Sequence, residues 1–129
     1  MYKLGLALAV AFAACAQVAS ADCRGHRGDR VVLYSTTDDP AVLVWDSRAR
    51  LREYHAATFD AAQAMLPHAI LVGPGTHATV VTCVSNYVES PVFHHPDDAV
   101  GVLLLAGPQR GLTRWVLGSD VRLVQAPRP

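Results

Sequence analysis

The sequence predicts a small, mainly β domain built as a barrel or a sandwich, and three observations lead there. Apolar residues come in short runs rich in Val and Leu, those runs are bounded by Gly, Pro, Asp and Ser, and beyond residue 21 no apolar run approaches a membrane-spanning length. Short apolar runs separated by turn residues are the pattern of strands. Six of them in a chain of 129 residues leave room for one domain and imply a small barrel or sandwich.

Residues 1–21 are expected to be a secretory signal. Lys3 makes a thin positive start, Leu4 to Ala14 form an apolar run, and Ala19-Ser20-Ala21 offer a small-residue cleavage site before Asp22. The domain would then be residues 22–129, which hold ten Arg, no Lys, eleven acidic side chains and two cysteines. Charges this closely balanced give no pull toward nucleic acid or an anionic membrane surface. Arginine without lysine has two readings: planar forks suited to carboxylates and phosphates, or codon bias that also favours Ala, Val, Pro and Gly.

In an oxidising compartment Cys23 and Cys83 have only each other, so a disulfide between them is expected. It would pin the new N-terminus to the strand around Cys83. Phe12-Ala13-Ala14-Cys15 leaves open an alternative in which Cys15 carries a lipid anchor. Export to the periplasm or the exterior is the expected localisation.

The six expected strands lie near 30–35, 41–46, 77–84, 99–105, 113–117 and 121–124. Thr37-Asp38-Asp39-Pro40 separates the first pair, and Gly107 to Gly111 joins two strands as a glycine-bracketed hairpin. Runs such as Val42-Leu43-Val44 and Leu103-Leu104-Leu105 place apolar groups on both faces, so residues 48–76 are expected to cover the outer face. Within that long loop, Asp60 and Gln63 have the capping-box spacing of a helix start, and Pro67 ends the helix. A single short helix is expected there.

The C-terminal third of the chain, over residues 75–124, resembles the bacterial Src homology 3-like (SH3-like) domains of exported proteins. The resemblance rests on Gly75-Thr76 stepping into Val80-Val81, the strand Val102 to Leu105, the loop glycines Gly107 and Gly111, the pair Trp115-Val116, and Gly118-Ser119-Asp120 turning into Val121 and Leu123. It reaches back less fully to Val44-Trp45-Asp46-Ser47-Arg48, which would be the family's first strand entering its long variable loop. Arg114 stands where the family usually has Gly, and the 48–74 loop is longer. The resemblance implies a small SH3-like barrel with a short helix in a long loop.

It also implies a shallow peptide groove lined by aromatics from that loop and from strand ends. Tyr54, Tyr87 and Phe93 are the candidates for ligand contact, each with the alternative role of covering the core. Trp45 and Trp115 share strand faces with apolar neighbours and are expected in the core.

Six histidines raise a metal possibility, above all His94-His95 beside Asp97-Asp98, but the sequence has no paired-Cys or spaced-His ligand framework. No metal or other cofactor is expected. Nor is a catalytic constellation visible. None of Ser35, Ser47, Ser85, Ser90 or Ser119 sits in a Gly-x-Ser-x-Gly elbow, bridged cysteines offer no thiol nucleophile, and Gly73-Pro74-Gly75-Thr76 lacks the lysine of a phosphate loop. The expected function is therefore a non-catalytic binding module of the envelope that engages a protein, a peptide or peptidoglycan. The alternatives are an accessory subunit of an envelope assembly and a metal-binding or hydrolytic protein using His94, His95 and Asp97.

Overall fold

In the first strand, β1 (Arg30–Leu33), Val31 and Leu33 are wholly buried while Arg30 is exposed, the period-two pattern of a half-buried strand. The computed structural model describes Cys23 and residues 25–124. The expected signal segment and Cys15 lie outside them. Along the chain come β2 (Val42–Val44), helix α1 (Arg48–Ala56), helix α2 (Phe59–Met65), a 3-10 turn (Leu66–His68), β3 (Ile70–Val72), β4 (Thr76–Val88), β5 (Asp97–Leu104), β6 (Thr113–Leu117), a 3-10 turn (Gly118–Asp120) and β7 (Val121–Leu123).

The domain is mainly β. An antiparallel five-stranded sheet runs β6-β5-β4-β1-β7, and β2 pairs with β3 in a second sheet. Trp45, one residue beyond β2, exchanges two backbone hydrogen bonds with Trp115 of β6, at 2.9 and 2.8 Å, and so joins the two sheets. Valines from both sheets, including Val31, Val44, Val80, Val100 and Val116, form one core. A second core gathers Trp45, Leu51, Val88, Ala99 and Leu117 under the helices.

Two glycines serve the hairpin between β5 and β6. Gly107 and Gly111 adopt φ of 82° and 86°, a region costly for residues with a Cβ, and Gly111 N–H donates to Leu104 O across the loop.

The 48–76 segment holds more structure than expected: two helices, a 3-10 turn and β3. Leu51 of α1 is wholly buried, which docks α1 against β4, β5 and β6. Asp60 is not the cap of α2. Thr58 occupies that place, its hydroxyl accepting from Ala61 N–H, and Asp60 sits in the first turn. Val44 to Arg48 is likewise not one strand: β2 ends at Val44 and Ser47 caps α1, accepting from Arg50 N–H at 3.1 Å. A hydroxyl at the N-cap satisfies one of the helix's unpaired amides, which is why Ser47 and Thr58 begin the two helices.

Cys23 and Cys83 are disulfide-bonded, with Cα atoms 6.2 Å apart across a sequence separation of 60. The bridge lays the segment before β1 along β4, where Gly28 N–H donates to Val80 O and Val80 N–H to Asp29 O. Among the described residues no helix is long and apolar enough to cross a membrane. The disulfide fits an exported protein.

Candidate functional site

Strand β4 departs from regular pairing with β5 between Val84 and Val88. Asn86 takes φ of 52° there, and its N–H donates to Asp98 Oδ1 at 3.1 Å. An irregularity of this kind re-aims the residues beside it, and the residue beside it is Tyr87. Asp98 is buried, its carboxyl held at the point where the pairing is irregular.

Helix α1 crosses over this region. Its buried side presents Leu51 and Tyr54, three residues apart, to the second core, and the Tyr54 ring lies 5.0 Å from that of Trp45. The neighbouring stripe is Arg48, Arg52 and His55, spaced by four and three residues. Arg52 and Arg48 place their guanidinium carbons 4.7 and 5.5 Å from the Tyr87 ring centroid. The His55 ring lies 5.0 Å from Tyr54 and 5.6 Å from Phe93. Tyr87 and Phe93 thus meet α1 at its first turns and at its last turn, and Tyr54 belongs to α1 itself, on its core side.

Between the end of α1 and the segment preceding β5 lies a depression of about 400 Å³, lined by Ala56, Pro91, Phe93, His94, His95 and Pro96 among others. A second one of about 410 Å³ shares Phe93, His94, His95 and Pro96 and continues to Thr36, Asp97 and Ser119. Phe93 therefore faces both, whereas Tyr54 and Tyr87 line neither and pack against the second core. Val92, 81% exposed, adds apolar surface at the rim. No family model, curated protein or solved structure matches this chain. What the surface can do must come from its own chemistry.

The polar wall of the second depression is braced from within. Asp97 Oδ2 accepts from Ser119 Oγ at 2.7 Å and from Ser119 N–H at 3.3 Å, and its Oδ1 accepts from Asp98 N–H at 2.8 Å. Asp120 Oδ1 accepts from Thr36 N–H and Oγ1, at 3.0 and 3.1 Å. These bonds tie the 3-10 turn before β7 to the start of β5 and to the segment after β1. Burial pushes the Asp120 carboxyl above its ordinary range, partly offset by the two Thr36 bonds, with Asp97 and Asp39 adding repulsion. Burial holds His55 below the usual imidazole range, against a smaller upward pull from Asp97.

His94 and His95 are exposed on the rim. Among the described residues, the one group of three metal-type donors within 4.8 Å of one another is Cys23, Cys83 and Asp98, in which both sulfurs belong to the disulfide. His94, His95 and Asp97 do not form such a group.

Sequence reasoning missed Arg48, Arg52 and Ala56, and took His55 only as one of the six histidines of the metal possibility. A signal for them exists: Ser47 as a cap, with strong helix formers after it, puts positions 48, 52 and 55 on one stripe.

Proposed function

We propose that this chain is a non-catalytic, SH3-like binding module of an exported protein, and that it holds an extended peptide segment against the surface between α1 and the 89–96 segment. The observation that carries this reading is the concave wall in which Phe93, Pro91 and Pro96 meet Ala56, continuous with the aromatics packed under α1. Prolines and one aromatic on a preformed concave surface suit a chain that is already extended, because such a ligand loses little freedom on binding. The SH3-like part of the reading is supported by the order of elements from Thr76 onward. β4 begins at Thr76, a glycine hairpin joins β5 to β6, Trp115-Val116 lies on β6, and a 3-10 turn leads into the short β7.

The test is selection of a 12-residue display library on the immobilised domain. Peptides that bind the native domain and lose at least tenfold in affinity with Phe93→Ala or Ala56→Arg would support the reading. Ala56 is exposed, so its substitution leaves the core intact. Recovery of no peptide, or of peptides indifferent to both substitutions, would overturn it.

A second reading, an accessory subunit of an envelope assembly, is favoured by the edge of the five-stranded sheet. There β7 presents Leu123, 56% exposed, with no further strand beside it among the described residues. Capture of an envelope protein that survives Phe93→Ala but not Leu123→Lys would favour it.

A further inference from the structure

We propose that Arg48, Arg52 and Tyr87 form an anion subsite that takes a carboxylate of an acidic extended peptide. This rests on the peptide-binding reading and adds the chemistry of the ligand to it.

Two guanidinium groups converge on one ring, at 4.7 and 5.5 Å from its centroid. Stacking on Tyr87 anchors both guanidinium groups against one ring, where free side chains would spread into solvent. Neither forms an ion pair among the described residues. The ion pairs among the described residues are His26 with Asp29 and Arg50 with Asp46, so the arginine between the two has a carboxylate partner at 3.8 Å while Arg48 and Arg52 have none. A carboxylate placed between the two forks would relieve their repulsion and accept from both.

The position on the helix points the same way. The first turn of α1 carries no acidic residue; Arg48 and Arg50 stand there instead. Helix N-termini favour negative charge, so arginine at these positions opposes the macrodipole. A bound anion at this end would meet the helix dipole and the guanidinium pair together.

Continuity with the depression fixes the spacing. The stripe continues from Arg48 and Arg52 to His55, which touches Phe93, and the next residue, Ala56, lines the depression. From the middle of the arginine pair to Ala56 the helix rises about 9 Å, the length of about three extended residues. The ligand therefore carries its acidic residue about three positions from the proline or aromatic seated at Phe93. Two arginines are too few for a membrane surface, whose recognition takes clusters of about four to eight basic side chains.

The experiment measures, by fluorescence polarisation, peptides recovered from the display selection, each also made with its Asp and Glu replaced by Asn and Gln. Native protein is compared with Arg48→Gln/Arg52→Gln, a change that keeps helix propensity. Expected are an enrichment of acidic residues about three positions from the apolar one, and a loss of about tenfold on neutralising the peptide. That loss should vanish in the double variant. Peptides that depend on Phe93 but show no acidic enrichment, or that lose equally on neutralisation in both proteins, would overturn the subsite and leave the peptide reading standing. Equal affinity of the native protein for phosphatidylglycerol vesicles would overturn it in favour of a membrane. An absence of any peptide binder sinks both proposals.

Discussion

Replacing Cys23 and Cys83 together with alanine opens the chain between the segment before β1 and the middle of β4. The bridge spans a sequence separation of 60, so the loop it closes contains β1, β2, both helices, β3 and half of β4. In the chain-entropy description a loop of that size removes about 14 cal/mol/K from the unfolded ensemble, or about 4 kcal/mol at 25 °C. A domain of this size has a net stability of about 5–15 kcal/mol, so the bridge is worth a large part of it. With a urea slope of about 1.5 kcal/mol/M, the unfolding midpoint should fall by about 2–3 M, and the slope should rise as the unfolded chain opens. The assay is urea unfolding monitored by the fluorescence of Trp45 and Trp115. A midpoint shift below about 0.5 M would show that Gly28 and Asp29, through their hydrogen bonds to Val80, hold the segment without help.

Other consequences are smaller or depend on pH. A Cβ at Gly101 would meet Thr82 Cγ2 at 3.1 Å and the Trp115 ring at 3.3 Å, so Gly101→Ala should cost about 1–3 kcal/mol in urea unfolding, and less in a Thr82→Ser background, which removes the nearer methyl. His55 is held below 6.5 by burial, so the folded state resists its protonation. Its contribution to stability is present above pH 6.5 and is lost as pH falls through the lowered folded value; His55→Phe should flatten thermal stability across that window. Asp120 has the opposite sign. Its raised carboxyl contributes stability that is present below 3.8 and lost as pH rises through the folded value. Asp120→Asn keeps an oxygen for Thr36 and should therefore raise the melting temperature at neutral pH, with the gain vanishing in acid.

The strands were legible because their signal is local. Val and Leu runs between Pro, Gly and Asp put β1, β6 and β7 within a residue or two of their observed ends, and the mainly β class comes from those runs. The three residues of β3 come after Pro67 and precede Gly73-Pro74, too short a run to stand out from a loop; pairing with β2 makes it a strand. Helix α1 shows only Leu51 and Tyr54 as an apolar stripe and is fixed in place by the second core, which sequence periodicity does not display. The same applies to the site. Tyr54, Tyr87 and Phe93 could be named as aromatics, but their meeting around α1 depends on the break in β4 at Asn86 and on the docking of Leu51. The arginines carried no sequence signal apart from the helix that places them over Tyr87.

Backbone amide chemical shifts, recorded while a peptide recovered by selection is added to the labelled domain, locate the surface that the peptide occupies. Binding between α1 and the 89–96 segment predicts the largest changes at Ala56, Phe93, His94 and His95, with Arg48, Arg52 and Tyr87 joining them when the peptide is acidic. Changes centred on Leu123 and Val124 at the β7 edge, with the α1 face unmoved, would contradict it.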